Sequence, residues 1–266
     1  LKIGFIGVGN MSSAIIKGLL AVDFVKPADI YVHSGTKSKY EAFAKEYGLT
    51  TCESNSEVVQ SADYVMLGIK PYILTDILKE IKETVRQENV ILISMVTGIS
   101  LAEMQADLEN DDAKIVRIMP NVNVEINEGM TALKPNKAVK ESEFQDTVDI
   151  FTALGQVIEL PEKDFSIFVA LAGSSPAFIY FFIDSLARAG VKYGLTKKQA
   201  DQIVAQAVLG SAKKVLTTDK TPFELVDDVC SPGGTTIAGL LALEEAGFMT
   251  SVVKAVDATV QKDQNK

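Results

Sequence analysis

The chain is predicted to be an α/β protein. A doubly wound, mostly parallel sheet forms its N-terminal part, and an all-helical part follows. Three observations predict this. A glycine turn joins a short apolar strand to a helix at the start of the sequence. Strand-like and helix-like segments then alternate as far as Leu160. Beyond that point the strand signal stops, and helical periodicities with capping boxes take over.

Ile3, Phe5 and Ile6 read as a buried strand, and Gly7-Val8-Gly9 turns the chain. From Met11 the apolar positions 11, 14, 15, 18, 19 and 22 have helical spacing. Strand, glycine turn and helix are the context in which a Gly-x-Gly-x-x-Gly match points to a Rossmann-type dinucleotide site. Gly7 permits the tight turn, and Gly9 lets the backbone approach a pyrophosphate lying on the free N–H groups of the helix. Ser12 occupies the third fingerprint position, where its small side chain is expected to allow close helix–sheet packing. The competing reading is a glycine-tight turn with no ligand.

Further strands are expected at 30–32, 50–52, 64–69, 90–93 and 115–119, with helices at 38–47, 55–61, 73–85 and 101–108. Thr131–Leu133 and Gln156–Glu159 read as edge strands around a helix from Phe144 to Leu154. The uncharged run from Phe165 to Ile183 is 19 residues long, close to a membrane span. Gly173-Ser-Ser-Pro176 is expected to break it into two short helices, or a helix and a turn, buried at a subunit interface. Thr196-Lys-Lys-Gln199 and Thr221-Pro-Phe-Glu224 are capping boxes, and two last helices are expected at 237–245 and 250–262. The domain boundary is therefore placed near Leu160: a dinucleotide-binding domain at 1–160 and a helical domain at 161–266.

Lys and Arg number 26 against 35 Asp and Glu, a net charge of −9, which argues against nucleic-acid and anionic-membrane partners. Hydrophobic residues make up 47% and charged residues 23%, an ordinary globular balance. Cys52 and Cys230 fit neither a disulfide framework nor a metal spacing, so no metal is expected. With no signal-peptide pattern before the first strand, a cytoplasmic location is expected.

In a fold of this type an acidic residue at the end of the second strand holds the adenosine ribose. Here that stretch is His33-Ser34-Gly35-Thr36-Lys37-Ser38-Lys39, with hydroxyls and lysines and no carboxylate. This favours the 2′-phosphate of NADP(H) over NAD(H); a solvated basic loop is the plainer alternative. His33, the sole histidine, reads as a partly exposed loop residue. Other strand ends carry Lys70-Pro71, Thr97-Gly98 and Pro120-Asn121. Lys70 reads as a phosphate or ribose contact in preference to a catalytic acid.

Ser231-Pro-Gly-Gly-Thr-Thr236 is the second informative stretch. It breaks one helix and opens the next, exposing backbone N–H groups and two hydroxyls suited to an anion. An interhelical hinge with a Thr cap is the structural alternative. With this stretch, the sequence resembles the pyrroline-5-carboxylate reductases over nearly its whole length. The resemblance rests on Ile6-Gly-Val-Gly-Asn-Met11, Gly68-Ile-Lys-Pro71, Val116-Arg-Ile-Met-Pro-Asn121, Glu128-Gly-Met-Thr-Ala-Leu133, Leu171-Ala-Gly-Ser-Ser-Pro-Ala-Phe178, Ala189-Gly-Val-Lys-Tyr-Gly-Leu195 and Ser231–Thr236. The chain departs from the family pattern at three places: Ser12, the pair Val122-Asn123 in place of Thr-Pro, and Ser175 in place of Gly.

The resemblance implies NAD(P)H-dependent reduction of 1-pyrroline-5-carboxylate to L-proline in the cytoplasm, the last step of proline synthesis. It also implies that the C-terminal helices form a dimer, with dimers gathering into a ring-like decamer. By resemblance, Ile6, Gly7, Val8, Gly9, Asn10 and Met11 hold the pyrophosphate. Ser34, Thr36, Lys37 and Asn55 meet the adenosine end, and Ile69, Lys70, Pro71, Thr97 and Asn121 the nicotinamide side, Asn121 also being a substrate contact. The substrate carboxylate rests on Gly233, Gly234 and Thr235, while Thr236 contacts the ring nitrogen as the catalytic residue. Competing readings are a non-catalytic NADP-binding regulator, another imine reductase, or a β-hydroxyacid dehydrogenase. No Lys lies between Asp164 and Lys192, where the last of these carries its catalytic one.

Overall fold

The computed structural model describes residues 1–265. Its sheet contains β1 (Ile3–Ile6), β2 (Ile30–His33), β3 (Thr50–Thr51), β4 (Tyr64–Leu67), β5 (Ile91–Ser94), β6 (Lys114–Met119), β7 (Gly129–Pro135) and β8 (Gly155–Glu159). The order is β3-β2-β1-β4-β5-β6-β7-β8. The first six strands are mutually parallel, β7 runs antiparallel to β6, and β8 is parallel to β7. The strand order reverses between β1 and β4, which opens a crevice beyond their C-terminal ends.

Near-continuous apolar strands imply cover on both faces, and the side chains divide with a period of two. Ile3, Phe5, Met66, Ile93, Val116 and Ile118 join one core cluster. It is completed by Ile15 and Leu19 of α1 (Asn10–Ala21), Tyr40 and Ala44 of α2 (Lys37–Tyr47), and Ile150 and Phe151 of α6 (Glu141–Thr152). Ile6, Val65, Leu67, Leu92 and Ile115 face the other way. There they meet α3 (Asn55–Ser61), α4 (Pro71–Gln87) and α5 (Leu101–Asp107). In α4, Leu74, Leu78, Ile81 and Val85 form the buried stripe that helical spacing predicts.

The expected break at 173–176 is corrected by the structure. The chain is helical from α7 (Phe165–Phe168) through a π-helical segment at Val169–Ser174 into α8 (Ser175–Lys192), with Pro176 in the first turn of α8. Proline lacks an N–H, so an α-helical ladder through it would orphan the carbonyl of Ala172. Asn121 Nδ2 donates to that carbonyl at 3.0 Å, and the widened turn absorbs the mismatch without a bend into loop. By length and composition, Glu162–Lys192 would also pass as a membrane span.

Two compact units divide the chain. Among the described residues, one comprises 1–173 together with 262–265, and the other is Ser174–Gln261. In the second, α8 packs on α9 (Lys197–Leu216) through Ala187, Ala200 and Val204. The unit continues with α10 (Pro222–Val229) and α11 (Thr235–Glu245), and α12 (Phe248–Gln264) returns to the first unit at its end.

Candidate functional site

In the first unit the predicted contacts gather on loops at the C-terminal edge of the parallel strands. Ile6 ends β1, buried. Gly7 has φ +92°, and a Cβ there would lie 2.5 Å from the carbonyl oxygen of Gly68, so only glycine fits the turn. Its N–H donates to His33 O at 2.8 Å, which ties the turn to the end of β2. Val8 is half-buried against the core. Gly9 is the N-cap of α1, exposed, with open space where a Cβ would stand and no side chain capping the helix. Asn10 and Met11 form the first turn of α1. Open backbone and unfilled N–H groups at a helix end fit a dinucleotide pyrophosphate.

Ser12 is buried and its Oγ has no hydrogen-bond partner. A Cβ on Gly68, just past β4, would stand only 2.0 Å from that oxygen. Close approach of α1 to the sheet is thus shared: a small residue at Ser12 and no side chain at Gly68. Ile69 follows half-buried, Lys70 is the exposed N-cap of α4, and Pro71 is its first residue. Thr97 sits half-buried in the turn after β5.

At the end of β2, Ser34 is half-buried while Thr36 and Lys37 are exposed. Asn55 is 7% exposed, and both ends of its amide are engaged. Oδ1 lies 2.8 Å from His33 Nδ1, and Nδ2 donates to Glu80 Oε2 at 2.9 Å. This sets His33 and Glu80 at the two ends of the Asn55 amide, a connection invisible along the sequence because three separate elements supply it. Glu53, also passed over, pairs with Lys37 at 2.6 Å. The Lys37 ammonium holds the Glu53 carboxyl below its usual range.

Asn121, 6% exposed, is more fully engaged than a ligand contact requires. Its Oδ1 accepts from the N–H groups of Asn123 and Met130 at 3.2 and 3.3 Å, while Nδ2 caps the Ala172 carbonyl. Arg117 on β6 pairs with Glu162 at 2.8 Å and lies 4.8 Å from the Phe165 ring centroid.

In the second unit, Ser231–Gly234 form a β-turn closed by Gly234 N–H donating to Ser231 O at 3.0 Å. Pro232 stands second and Gly233 third with φ +68°, the pattern of a type II turn. Gly234 is the N-cap of α11, which lacks a side-chain cap. Since the Gly234 N–H closes the turn, the N–H groups free for an anion are those of Thr235, Thr236 and Ile237. Thr236 and Cys230 lie on a cavity of about 790 Å³ that is also bordered by Ser211, Lys214, Asp228 and Leu240. Among the described residues no cluster of His, Cys, Asp and Glu could hold a metal ion.

Two family models match the chain: "NADP oxidoreductase coenzyme F420-dependent" over residues 2–98 and "Pyrroline-5-carboxylate reductase dimerisation" over residues 162–266. The pyrroline-5-carboxylate reductase of Escherichia coli is 39% identical over 263 residues, covering 99% of this chain and 97% of that protein. The crystal structure of the Streptococcus pyogenes 1-pyrroline-5-carboxylate reductase is 40% identical, with a TM-score of 0.88 over 100% of this chain and 98% of that one. A Plasmodium falciparum pyrroline carboxylate reductase, solved with NADP bound, is 32% identical, with a TM-score of 0.89 over 100% of this chain and 97% of that one. With such likeness spanning both units, this chain belongs to the pyrroline-5-carboxylate reductase family.

Proposed function

We propose that this chain reduces the ring imine of 1-pyrroline-5-carboxylate to L-proline at the expense of NADPH, with NADH as the less favoured donor. The observation that carries the reading is the uncapped α11 N-terminus behind the Ser231–Gly234 turn, in a chain matching reductases of this name end to end. Proline synthesis is the metabolic setting, and it ends with this step.

A bound reduced nicotinamide cofactor supplies the hydride. The first unit's residues hold it: the Gly7–Met11 turn and α1 N-terminus the pyrophosphate, Ser34, Thr36, Lys37 and Asn55 the adenosine end, and Ile69–Pro71 and Thr97 the nicotinamide side. A cyclic imine accepts hydride well only once its nitrogen is protonated. Hydride delivered to the ring carbon would push the C=N π pair onto the protonated nitrogen and leave a secondary amine. The protein's tasks are therefore to fix the carboxylate and to favour the iminium. The N–H groups of Thr235, Thr236 and Ile237 perform the first. The Thr236 hydroxyl holds a proton at the ring nitrogen, and Gly233, with open space where a Cβ would stand, keeps its side of the turn free of a side chain; at Gly234 a Cβ would lie 2.4 Å from Ser231 Oγ, so glycine there lets the turn close. Asn121 acts by holding the loop after β6 in place.

Residues 1–160 are read as the nucleotide-binding domain and 161–266 as the substrate and dimerisation domain. Dimers are read as gathering into a ring-like decamer in the cytoplasm, with no nucleic-acid or membrane partner, in keeping with the net charge of −9. The test is spectrophotometric. Adding 1-pyrroline-5-carboxylate to the protein with NADPH should oxidise the cofactor and yield proline, and no oxidation would reject the reading. Thr236→Ala should lower kcat/KM by about 1–3 kcal/mol of transition-state stabilisation. An unchanged value would remove Thr236 from the chemistry.

A further inference from the structure

The loop after β2 lacks a carboxylate in sequence, but the fold brings one to it from the neighbouring strand. Glu53 stands just past β3, and its Oε2 lies 2.6 Å from Lys37 Nζ. Glu41, one turn further along α2, is 3.8 Å from the same ammonium. The Lys37 and Glu53 side chains are 58% and 72% exposed, so burial locks neither in place. Beside the pair, the N-terminus of α2 is open. Thr36 makes no side-chain cap, the first turn carries no acidic residue, and Gly35 faces empty space where a Cβ would be.

We infer that the Lys37–Glu53 ion pair sets the choice between NADP(H) and NAD(H), with Lys37 serving the 2′-phosphate and Glu53 serving the free 2′-hydroxyl. This rests on the reading of that loop as the adenosine end. The chemistry follows from the two ligands. A phosphate monoester at the open end of α2 draws Lys37 towards itself and away from Glu53. The Glu53 carboxylate is then left beside a second anion, an unfavourable like-charge contact. A ribose with a free 2′-hydroxyl instead donates to the Glu53 carboxylate, and the Lys37 pair stays intact. Exchange between the two arrangements is inexpensive because an exposed ion pair contributes little by itself. Glu53 therefore tempers the preference that the lysine creates, and one site accepts both cofactors.

The test uses two probes that carry only the adenosine end, adenosine 2′,5′-bisphosphate and adenosine 5′-monophosphate, titrated calorimetrically onto the whole protein. Glu53→Gln should tighten the bisphosphate about 3- to 10-fold while the monophosphate weakens or stays level, raising the ratio of affinities. Lys37→Gln should weaken the bisphosphate about 5-fold or more and move the monophosphate less than about twofold. A ratio that Glu53→Gln leaves level, or lowers because Glu53 only steadies Lys37, overturns the inference. If the wild-type protein binds neither probe, the nucleotide reading of the loop fails and the pair has no ligand to select. Both positions are exposed, so thermal denaturation of the variants should match the wild type.

Discussion

Ser12 and Gly68 form one contact seen from two sides. A serine at the third fingerprint position is tolerated because the strand that faces it ends in a residue without a side chain. Gly68→Ala should destabilise the protein by about 1–3 kcal/mol in urea unfolding, since the new methyl meets Ser12 Oγ in a packed interior. Ser12→Ala, which removes an unpartnered buried hydroxyl, should instead raise stability by about 1 kcal/mol. A loss of stability in Ser12→Ala would mean that the hydroxyl has a partner. Asn121 illustrates the opposite case, a polar side chain whose hydrogen bonds join three backbone segments. Asn121→Ala leaves the Ala172 carbonyl and two loop N–H groups unpaired, a cost of about 2–4 kcal/mol. If Asn121 were a ligand contact alone, the urea midpoint would hold and only KM would rise.

Among the elements, helix N-termini divide by how they are closed. Ser54, Ser100, Thr196 and Thr221 cap α3, α5, α9 and α10 with their own oxygens, so those ends offer less to an anion. At α1 and α11 a glycine stands at the cap and no side chain fills it. Both ends were identifiable from Gly7-Val-Gly9 and Ser231–Thr236, because a glycine's freedom and a missing cap are local properties. At α6 the closure is electrostatic: Glu143 bonds the Lys140 N–H and pairs with Lys114 of β6 at 2.5 Å. Burial pushes the Glu143 carboxyl up, but these bonds outweigh it and hold its pKa below the ordinary range. A lowered native pKa stabilises the folded state fully above the unfolded value, about pH 4.3. The contribution fades as pH falls through the native value. Glu143→Gln should therefore flatten the drop in the denaturation midpoint between about pH 6 and about pH 3. An equally steep drop in the variant would place the acid sensitivity elsewhere.

For the molecule as a whole, the two units differ in how much apolar surface they bury. The sheet unit has three buried clusters, while the helical unit's own core is Ala187, Ala200 and Val204 with Ile183 and Val208 against it. Tyr180 and Phe181 are 57% and 75% exposed in the single chain, and Phe223 and Met249 are likewise open. An apolar surface of that extent calls for a partner, and self-association through the matched dimerisation region supplies one. Phe181→Asp should shift the sedimenting species towards the mass of one chain. An unchanged assembly would put Phe181 outside the interface.

By itself the sequence determined most of the strand and helix succession, the glycine turn at the start, the helix-opening turn at 231–236 and the family. Each of these depends on neighbours within a few residues or on a fixed spacing, and such information lies along the chain. Tertiary structure decided what depends on distant residues meeting. It brought Glu53 to Lys37 and set His33 and Glu80 on either side of Asn55. It also carried the helix through Pro176, where Gly-Ser-Ser-Pro had predicted a break, because the Asn121 amide reaches the carbonyl that proline leaves without a donor. Local propensity cannot anticipate a donor supplied from 51 residues away.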